Sequence, residues 1–300
     1  MRHKAKRDIR TDRAWSILHR QFTCLHGQGT NTRGLVVIPT YNERENLPDL
    51  VSALLTEAPF LDVLVVDDGS PDGTGKIADS LAKRTKRVRV LHRPGKLGLG
   101  SAYVAGFEYA LSRDYRCVIQ MDADFSHRPQ DLPRLLQAVD SADLVIGSRN
   151  VPGGRTKNWS LLRRFVSKGG SFYARTVLGL PIRDCTSGFK CFRREVLEAV
   201  DFADVKSNGY GFQVEMNHLC HRAGFRIVEV PIVFPDRSTG RSKMSWRIFL
   251  EAAGLVWKLR IRRAPTYFEA ADALGVPPER GLSAERVSDA TPKVERALGK

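Results

Sequence analysis

The sequence predicts an α/β protein built on a mostly parallel sheet with helices on both faces. Three observations carry that prediction. Short continuous apolar runs of strand length recur from residue 35 to residue 149, amphipathic stretches of helical length separate them, and a polar turn follows each run. Strands covered on both faces read as unbroken Val/Ile/Leu runs, and a helix between successive strands is what lets them run parallel.

Taken in order, residues 1–33 hold eight Lys/Arg against two Asp and end in HGQGTNTRG, a basic aperiodic arm expected to be disordered. Regular structure is expected from Gly34. LVVIP is a first strand, NLPDLVSALLTEA a helix, DVLVVDD a second strand and PDGTGKIADSLAKR a second helix. VRVLHR, LGSAYVAGFEYALSR, CVIQMD, PQDLPRLLQAV and ADLVIGSR continue the alternation to a fifth strand. Ligands of such sheets sit beyond the carboxyl ends of the strands, where PTYNE, DDGSPDGT, DADFSH and GSRN fall. Further on, LLRRFVSKGGSFYAR places Arg164, Lys168, Ser171 and Arg175 on one helical face and Leu162, Phe165, Val166, Phe172 and Tyr173 on another, with a break expected at Gly169-Gly170. Residues 244–263 form a helix with a narrow polar stripe (Arg247, Glu251, Lys258, Arg262) and Trp246 and Trp257 among its apolar residues. It reads either as an interfacial helix or as one packed on the sheet. A polar, Pro/Gly-punctuated tail from 264 to 300 is expected to be disordered, leaving 34–243 as a single domain.

Composition narrows the function. Hydrophobic residues make up 42%, enough to fill a core, and the net charge is +15. Without the two termini, residues 34–263 still hold 35 Lys/Arg against 25 Asp/Glu, so the body is basic and suits an anionic partner: nucleic acid, anionic lipid or a phosphorylated substrate. Cys24, Cys117, Cys185, Cys191 and Cys220 form no CxxC pair and no zinc-spaced cluster, as expected of a reducing compartment. No stretch approaches the roughly 20 apolar residues of a membrane span. MRHKAKRDIR is not followed by an apolar signal region, so a cytoplasmic location is expected.

Asp122 and Asp124, separated by Ala123 at a strand end, can aim at one hard cation, or Asp124 or Ser126 can cap the helix near Pro129. Asp67 and Asp68 end another strand before a Gly/Ser/Pro turn, and Pro39, Tyr41, Asn42 and Glu43 form a corner with an aromatic face beside a carboxylate. A capping role for Asp72, Asn42 or Glu43 does not account for three acidic corners on a cationic protein.

PTYNERENL, VVDDGSPDGT, MDADFSHRP, GSR, DCTSGFKCFRREVL, GYGFQVEM and RSTGRSKMSW, in this order over residues 34–255, resemble the polyprenol-phosphate (dolichol-phosphate) mannosyltransferases among the family 2 glycosyltransferases. The resemblance implies a GT-A, Rossmann-like fold, GDP-mannose as donor, a polyprenyl monophosphate in the membrane as acceptor, inversion at the anomeric carbon, and Mg²⁺ or Mn²⁺. Carried over residue by residue, it assigns Pro39, Tyr41, Glu43, Val66 and Asp68 to the nucleotide, and Asp122, Ala123 and Asp124 to the nucleotide sugar. The metal falls to Asp122, Asp124 and Ser126, although many members carry Gln, a better ligand than a hydroxyl, where Ser126 stands. Arg237 and Lys243 match donor-phosphate positions, Asp124 and Arg149 the catalytic ones, and Arg149, Arg164 and Ser167 lie near the acceptor phosphate.

Physical chemistry agrees with the resemblance on one point. A phosphate monoester, with a second pKa of about 6, is already ionised at pH 7 and needs no general base, only positive charge. The sequence lacks the ED pair and QxxRW segment of sugar-acceptor relatives and has QVEM and KMSW instead. Glu215 reads equally as ligand-orienting or helix-capping, His127 as sugar-facing or turn-stabilising, and His218 and His221 as surface residues. Reaching a bilayer lipid calls for peripheral contact on the cytoplasmic face, through residues 244–263 or a membrane-protein partner. A nucleic-acid partner is disfavoured because no basic patch carries stacking aromatics. A dinucleotide oxidoreductase is disfavoured because Tyr103 stands where GxGxxG needs its third Gly. Mannose and glucose differ by one hydroxyl's orientation, so a glucosyltransferase acting on the same lipid is the alternative within the class.

Overall fold

The computed structural model describes residues 34–202, 205, 207, 209–236 and 246–261, with the backbone alone for 246–252. The N-terminal arm, the tail from 264, Arg237 and Lys243 lie outside the described residues.

The central sheet has seven strands. They are β1 (Gly34–Thr40), β2 (Leu61–Asp67), β3 (Val88–His92), β4 (Cys117–Gln120), β5 (Leu144–Ser148), β7 (Lys190–Arg193) and β8 (Ile227–Pro231), in the order β3-β2-β1-β4-β7-β5-β8. All neighbours are parallel except at β7, which runs antiparallel to both β4 and β5. The five expected strands are present. β7 and β8 are additions, because KCFR and IVEVP interleave Lys190 and Glu229 with apolar residues and lack the unbroken apolar signature. A short parallel pair, β6 (Arg155–Lys157) with β9 (Val233–Pro235), lies outside the main sheet.

The helices are α1 (Leu47–Glu57), α2 (Thr74–Arg84), α3 (Leu99–Leu111), α4 (Leu132–Val139), α5 (Leu161–Leu178), α6 (Arg194–Glu198), α7 (Tyr210–Arg222) and α8 (Trp246–Ile261). The pleat sends alternate residues of β1 to opposite layers. Leu35 and Val37 join one core with Phe107, Phe192, Phe212, Val256 and Leu259, while Val36 and Ile38 join the other with Leu47, Leu50, Leu54 and Leu135. Both layers are apolar, which is why the strands read as continuous runs. α3 lies so close to β1 that a Cβ on Gly106 would come 2.3 Å from Val37 Cγ1, so only glycine permits that approach.

Two expectations are corrected here. α5 runs unbroken through Gly169 and Gly170, from Ser160, whose Oγ accepts the Arg163 N–H, to Gly179 in the left-handed region at φ 68°. Two glycines cost about 2 kcal/mol of helix propensity, which packing of Ser171, Ala174 and Leu178 against the domain offsets. Neither face of α5 is buried as a whole: of the polar set Ser171 is buried while Arg164, Lys168 and Arg175 are exposed, and of the apolar set Val166 and Tyr173 are half-buried. Leu161, Leu162, Phe165 and Phe172 are 80, 73, 77 and 68% exposed. In α8 the two readings divide the helix: Val256 and Leu259 are buried in the core, while Trp257 and Ile261 are exposed.

Candidate active site

The register aligns the carboxyl ends of the strands. Thr40 pairs with Asp67, the Asp68 N–H donates to Thr40 O at 3.0 Å, and Met121 N–H donates to Val37 O at 3.2 Å. Asp68 and Asp122 therefore leave the sheet on either side of β1, about 10 Å apart by strand spacing. That separation divides the acidic corners into different tasks.

The first corner is self-organised. Asp67 accepts from Thr40 Oγ1 at 3.0 Å, Ser70 N at 3.1 Å and Ser70 Oγ at 2.5 Å, which makes it a turn-holding residue. Asp72 accepts from both Thr74 N and Thr74 Oγ1 and from Arg44 N, and these hydrogen bonds lower its pKa against the opposing effect of burial. Thr74 Oγ1 in turn accepts the Glu43 N–H, and Ser70 Oγ the N–H of Asn42, whose φ is 62°. The PTYNE and DDGSPDGT segments are thus laced into one rim. Asp68 Oδ1 takes Arg93 Nη1 at 2.7 Å and Oδ2 the Leu97 N–H at 3.2 Å, yet burial raises its pKa above the ordinary carboxylate value. Tyr41 is a third exposed and carries Lys96 Nζ 4.2 Å above its ring. The Val66 side chain is wholly buried in the core, so a nucleotide can meet it only through its main chain, and the same burial applies to Ala123.

The second corner holds the paired carboxylates. Asp122 Oδ1 accepts the Tyr103 hydroxyl at 2.8 Å, and the Asp122 N–H donates to His127 Nδ1 at 3.0 Å, so that nitrogen carries no proton. His127 is buried, stacked on Phe189 at 5.0 Å and 14°; its place is under the turn. Asp124 Oδ1 accepts the Ser126 N–H at 3.0 Å across Phe125, a non-glycine at φ 58°. Neither Asp124 nor Ser126 caps the helix that follows; Arg128 stands at that position without a side-chain cap. Ser126 Oγ is buried and has no hydrogen-bond partner among the described residues. Oxygen donors from Asp122, Asp124 and an orphaned hydroxyl fit a hard divalent cation. Among the described residues no group of three or more His, Cys, Asp or Glu side chains stands poised to hold a metal, so a cation here would need this hydroxyl or a ligand oxygen as a third donor.

The third corner is cationic. Arg149 leaves β5 and is held by Asp184: its Nε donates to Oδ2 at 2.7 Å, its Nη2 to Oδ1 at 2.6 Å and its N–H to Oδ2 at 2.9 Å. Burial opposes the guanidinium's charge, but Asp184 together with Tyr210 and Asp122 raises its pKa net. Arg149 therefore lies within electrostatic reach of the paired carboxylates. It also lines a cavity of about 180 Å³ with Arg155, Thr156, Trp159, Arg164, Ser167 and Lys168, and no acidic residue lines it. Trp159 stacks under Arg163, whose guanidinium is 4.0 Å from the ring centroid and is paired with Asp236. Between this cavity and Asp122 runs the Thr186–Gly188 segment. Thr186 Oγ1 accepts from Arg149 Nη2 at 2.8 Å, and a Cβ on Gly188 would sit 3.6 Å from Asp122 Oδ2.

The structure thus brings together Asp122, Asp124 and Ser126, and separately Arg149, Arg164 and Ser167, and places Tyr41, Glu43 and Asp68 on the rim beside them. Nothing in the sequence marks the roles of Asp184, Thr186 and Lys96, and Tyr103 shows there only as a break in GxGxxG; nothing local in DCTSGF ties Asp184 to an arginine 35 residues earlier. Glu215 accepts the Ser207 N–H at 3.0 Å, and so holds the chain before α7. His218 is buried, contrary to expectation, and burial lowers its pKa to about 4.

An open, mostly parallel sheet with paired carboxylates at one strand end and a cationic cavity beside them is the layout of a GT-A glycosyltransferase. The glycosyl transferase family 2 profile matches residues 35–201, and the chain belongs to that family. It is 52% identical to an undecaprenyl-phosphate mannosyltransferase of Micrococcus luteus over 77% of this chain and 96% of that protein. It is 51% identical to a polyprenol monophosphomannose synthase of Mycolicibacterium smegmatis over 77% and 88%. Among solved structures, a mannosyltransferase from Pyrobaculum calidifontis in complex with GDP-Man and Mn²⁺ shares the fold, with a TM-score of 0.53 at 19% identity over 96% of this chain and 89% of that one.

Proposed function

We propose that this enzyme transfers mannose from GDP-mannose to a polyprenyl monophosphate with inversion at the anomeric carbon. One observation carries the reading: a cavity whose charged lining residues are all cationic, Arg149, Arg155, Arg164 and Lys168, adjoins the segment bearing Asp122 and Asp124. An acceptor phosphate has charge that such a lining neutralises, and its oxygen attacks the anomeric carbon as the bond to the GDP β-phosphate oxygen breaks. Asp122, Asp124 and Ser126 would hold Mg²⁺ or Mn²⁺, which supplies charge neutralisation on the leaving diphosphate. Arg149, fixed by Asp184, faces the acceptor phosphate together with Arg164 and Ser167. Tyr41, Glu43 and Asp68 receive the nucleoside, Pro39, Val66 and Ala123 line it through their main chain, and Arg237 and Lys243 meet the donor phosphates. The relatives' names support the sugar and the lipid.

Such an acceptor is anchored in a bilayer. Among the described residues no helix is long and apolar enough to cross a membrane. Under the proposed function, access is through peripheral contact at the cytoplasmic face. The outward Leu161, Leu162, Phe165 and Phe172 of α5, with Trp257 and Ile261 of α8, supply the surface that enters the lipid. Arg164 and Lys168, on the same helix, bring the cavity to headgroup level.

The test is incubation with radiolabelled GDP-mannose, GDP-glucose or UDP-glucose plus polyprenyl phosphate, followed by organic extraction. Label is expected in the lipid phase from GDP-mannose alone, and to be lost in Asp124→Ala with the fold intact. Label from a glucose donor, or undiminished turnover by Asp124→Ala, refutes the corresponding assignment.

A further inference from the structure

We infer that Tyr103 is a positioning residue that presents one oxygen of Asp122 to the divalent cation, an inference that rests on the metal reading above. Asp122 is gripped at two points. Its Oδ1 accepts the Tyr103 hydroxyl at 2.8 Å, and its main-chain N–H donates to His127 Nδ1 at 3.0 Å. Neither grip can shift easily. Tyr103 is wholly buried in α3, its ring stacked at 5.9 Å and 9° on Phe212 and at 6.2 Å and 24° on Phe107. His127 lies between Phe189, at 5.0 Å, and the edge of Phe234, at 5.4 Å.

The consequence falls on Oδ2. Its nearest cationic-type group, His127 Nδ1, is 4.0 Å away and already accepts a hydrogen bond, so it has no proton to offer. The Asp122 side chain is 27% exposed although Tyr103 and His127 are buried, and its Oδ2 lies near Gly188, 3.6 Å from where a Cβ would stand. A carboxylate anchored through one oxygen offers the other along a fixed direction. That favours a monodentate ligand for a six-coordinate ion and disfavours rotation into a bidentate one.

The chain contains its own control. Tyr115, also buried, donates to Asp62 Oδ2 at 2.8 Å, a second tyrosine–aspartate pair of the same length outside the site. Tyr103→Phe and Tyr115→Phe each remove one such hydrogen bond at constant shape. Mn²⁺ binding to the full-length chain in the presence of GDP, followed by the electron paramagnetic resonance of free Mn²⁺, separates them. Tyr103→Phe is expected to weaken Mn²⁺ about 10-fold or more, the range for lost outer-sphere support, and Tyr115→Phe to leave it unchanged while lowering the denaturation midpoint by a similar amount. Equal Mn²⁺ affinity in wild type and Tyr103→Phe, or equal losses in both variants, overturns the inference. A wild-type chain that binds no Mn²⁺ with GDP overturns the metal reading first, and this inference with it.

Discussion

Asp184→Asn tests the pair on which the cationic side of the site depends. Arg149 and Asp184 are both buried, and three hydrogen bonds of 2.6–2.9 Å join them. The substitution keeps the shape and removes the charge, leaving a mostly buried guanidinium without its counter-ion at the edge of the cavity. Breaking one side of a buried pair costs about 3–5 kcal/mol, and an amide oxygen that still accepts one bond places the expected loss near 3. Chemical denaturation at pH 7 reads it as a lower midpoint at unchanged slope. The double variant Asp184→Asn/Arg149→Met should recover much of that loss, because no charge then remains stranded, giving a coupling of about 2 kcal/mol. Asp184's pKa is depressed below 3.8; burial opposes ionisation, but Arg149 outweighs it. A depressed acid stabilises the fold above its unfolded pKa and ceases to as pH falls through the folded value, so the difference between wild type and variant should vanish only below about pH 4. A loss under 1 kcal/mol at pH 7, or an additive double variant, would refute the assignment of Asp184 as Arg149's counter-ion.

Lys190 gives a second pH signature. It is fully buried, its Nζ donates to Gln213 O at 3.0 Å, and burial lowers its pKa to about 7. Above pH 7 the unfolded chain holds the proton that the native state has lost, so stability rises with pH, by up to about 2 kcal/mol from Lys190 between pH 7 and 8.5. The unfolded thiols of Cys185 and Cys220, ordinarily at about 8.5 and both pushed to about 12 in the native state, begin to ionise within that window, offset roughly half of the Lys190 contribution by pH 8.5 and reverse the slope beyond it. Lys190→Met should flatten the rise in a denaturation series at pH 7.0 and 8.5; a wild-type stability that falls across that window contradicts the reading. For the lipid surface, Phe165→Glu with Phe172→Glu should lower cosedimentation with anionic phosphatidylglycerol vesicles at least 10-fold and leave the denaturation midpoint unchanged, since both side chains are already in water. Undiminished cosedimentation places the bilayer contact elsewhere.

The parts of the fold legible in the sequence are those fixed by local pattern. β1 and β2 were readable because both faces are covered, so every residue between Leu35 and Ile38 or Val63 and Val66 is apolar. β7 was not, because a four-residue strand carrying Lys190 has no period to detect, and its antiparallel place depends on β4 and β5. On α5 the periodicity groups Ser171 with Arg164, Lys168 and Arg175, but the structure buries Ser171 alone of the four. The tertiary contacts of Ser171, Ala174, Leu178 and Tyr173 set the buried stripe, which cuts across both faces. The site divides in the same way. Paired Asp122 and Asp124 are visible as a spacing, whereas the partners that orient them, Tyr103 and His127, are defined by packing of α3 and the Phe189 ring.

The antiparallel insertion of β7 also explains why two anions can meet here on a protein that carries paired carboxylates. By entering between β4 and β5 it delivers the Asp184–Gly188 segment across the crevice, with Asp184 on Arg149, Thr186 on the same guanidinium and Gly188 against Asp122. Thr186–Gly188, which carries no charge, thereby lies between Asp122 and the cationic cavity, while Asp184 is neutralised by Arg149. A phosphate in the cavity is shielded from Asp122 and Asp124 by distance, and a nucleotide diphosphate above those carboxylates requires a cation between like charges. The segment orders the charges as cationic cavity, the Thr186–Gly188 strip, then Asp122; under the proposed function, the sugar would lie over that strip. A Cβ at position 188 would rest against Gln213 and His127 at 3.4 Å and Asp122 Oδ2 at 3.6 Å, contacts of ordinary length, so Gly188→Ala should fold normally. Under the proposed metal reading a larger Gly188→Leu should crowd Asp122 and weaken Mn²⁺ binding with GDP, and unchanged Mn²⁺ affinity in that variant would contradict it.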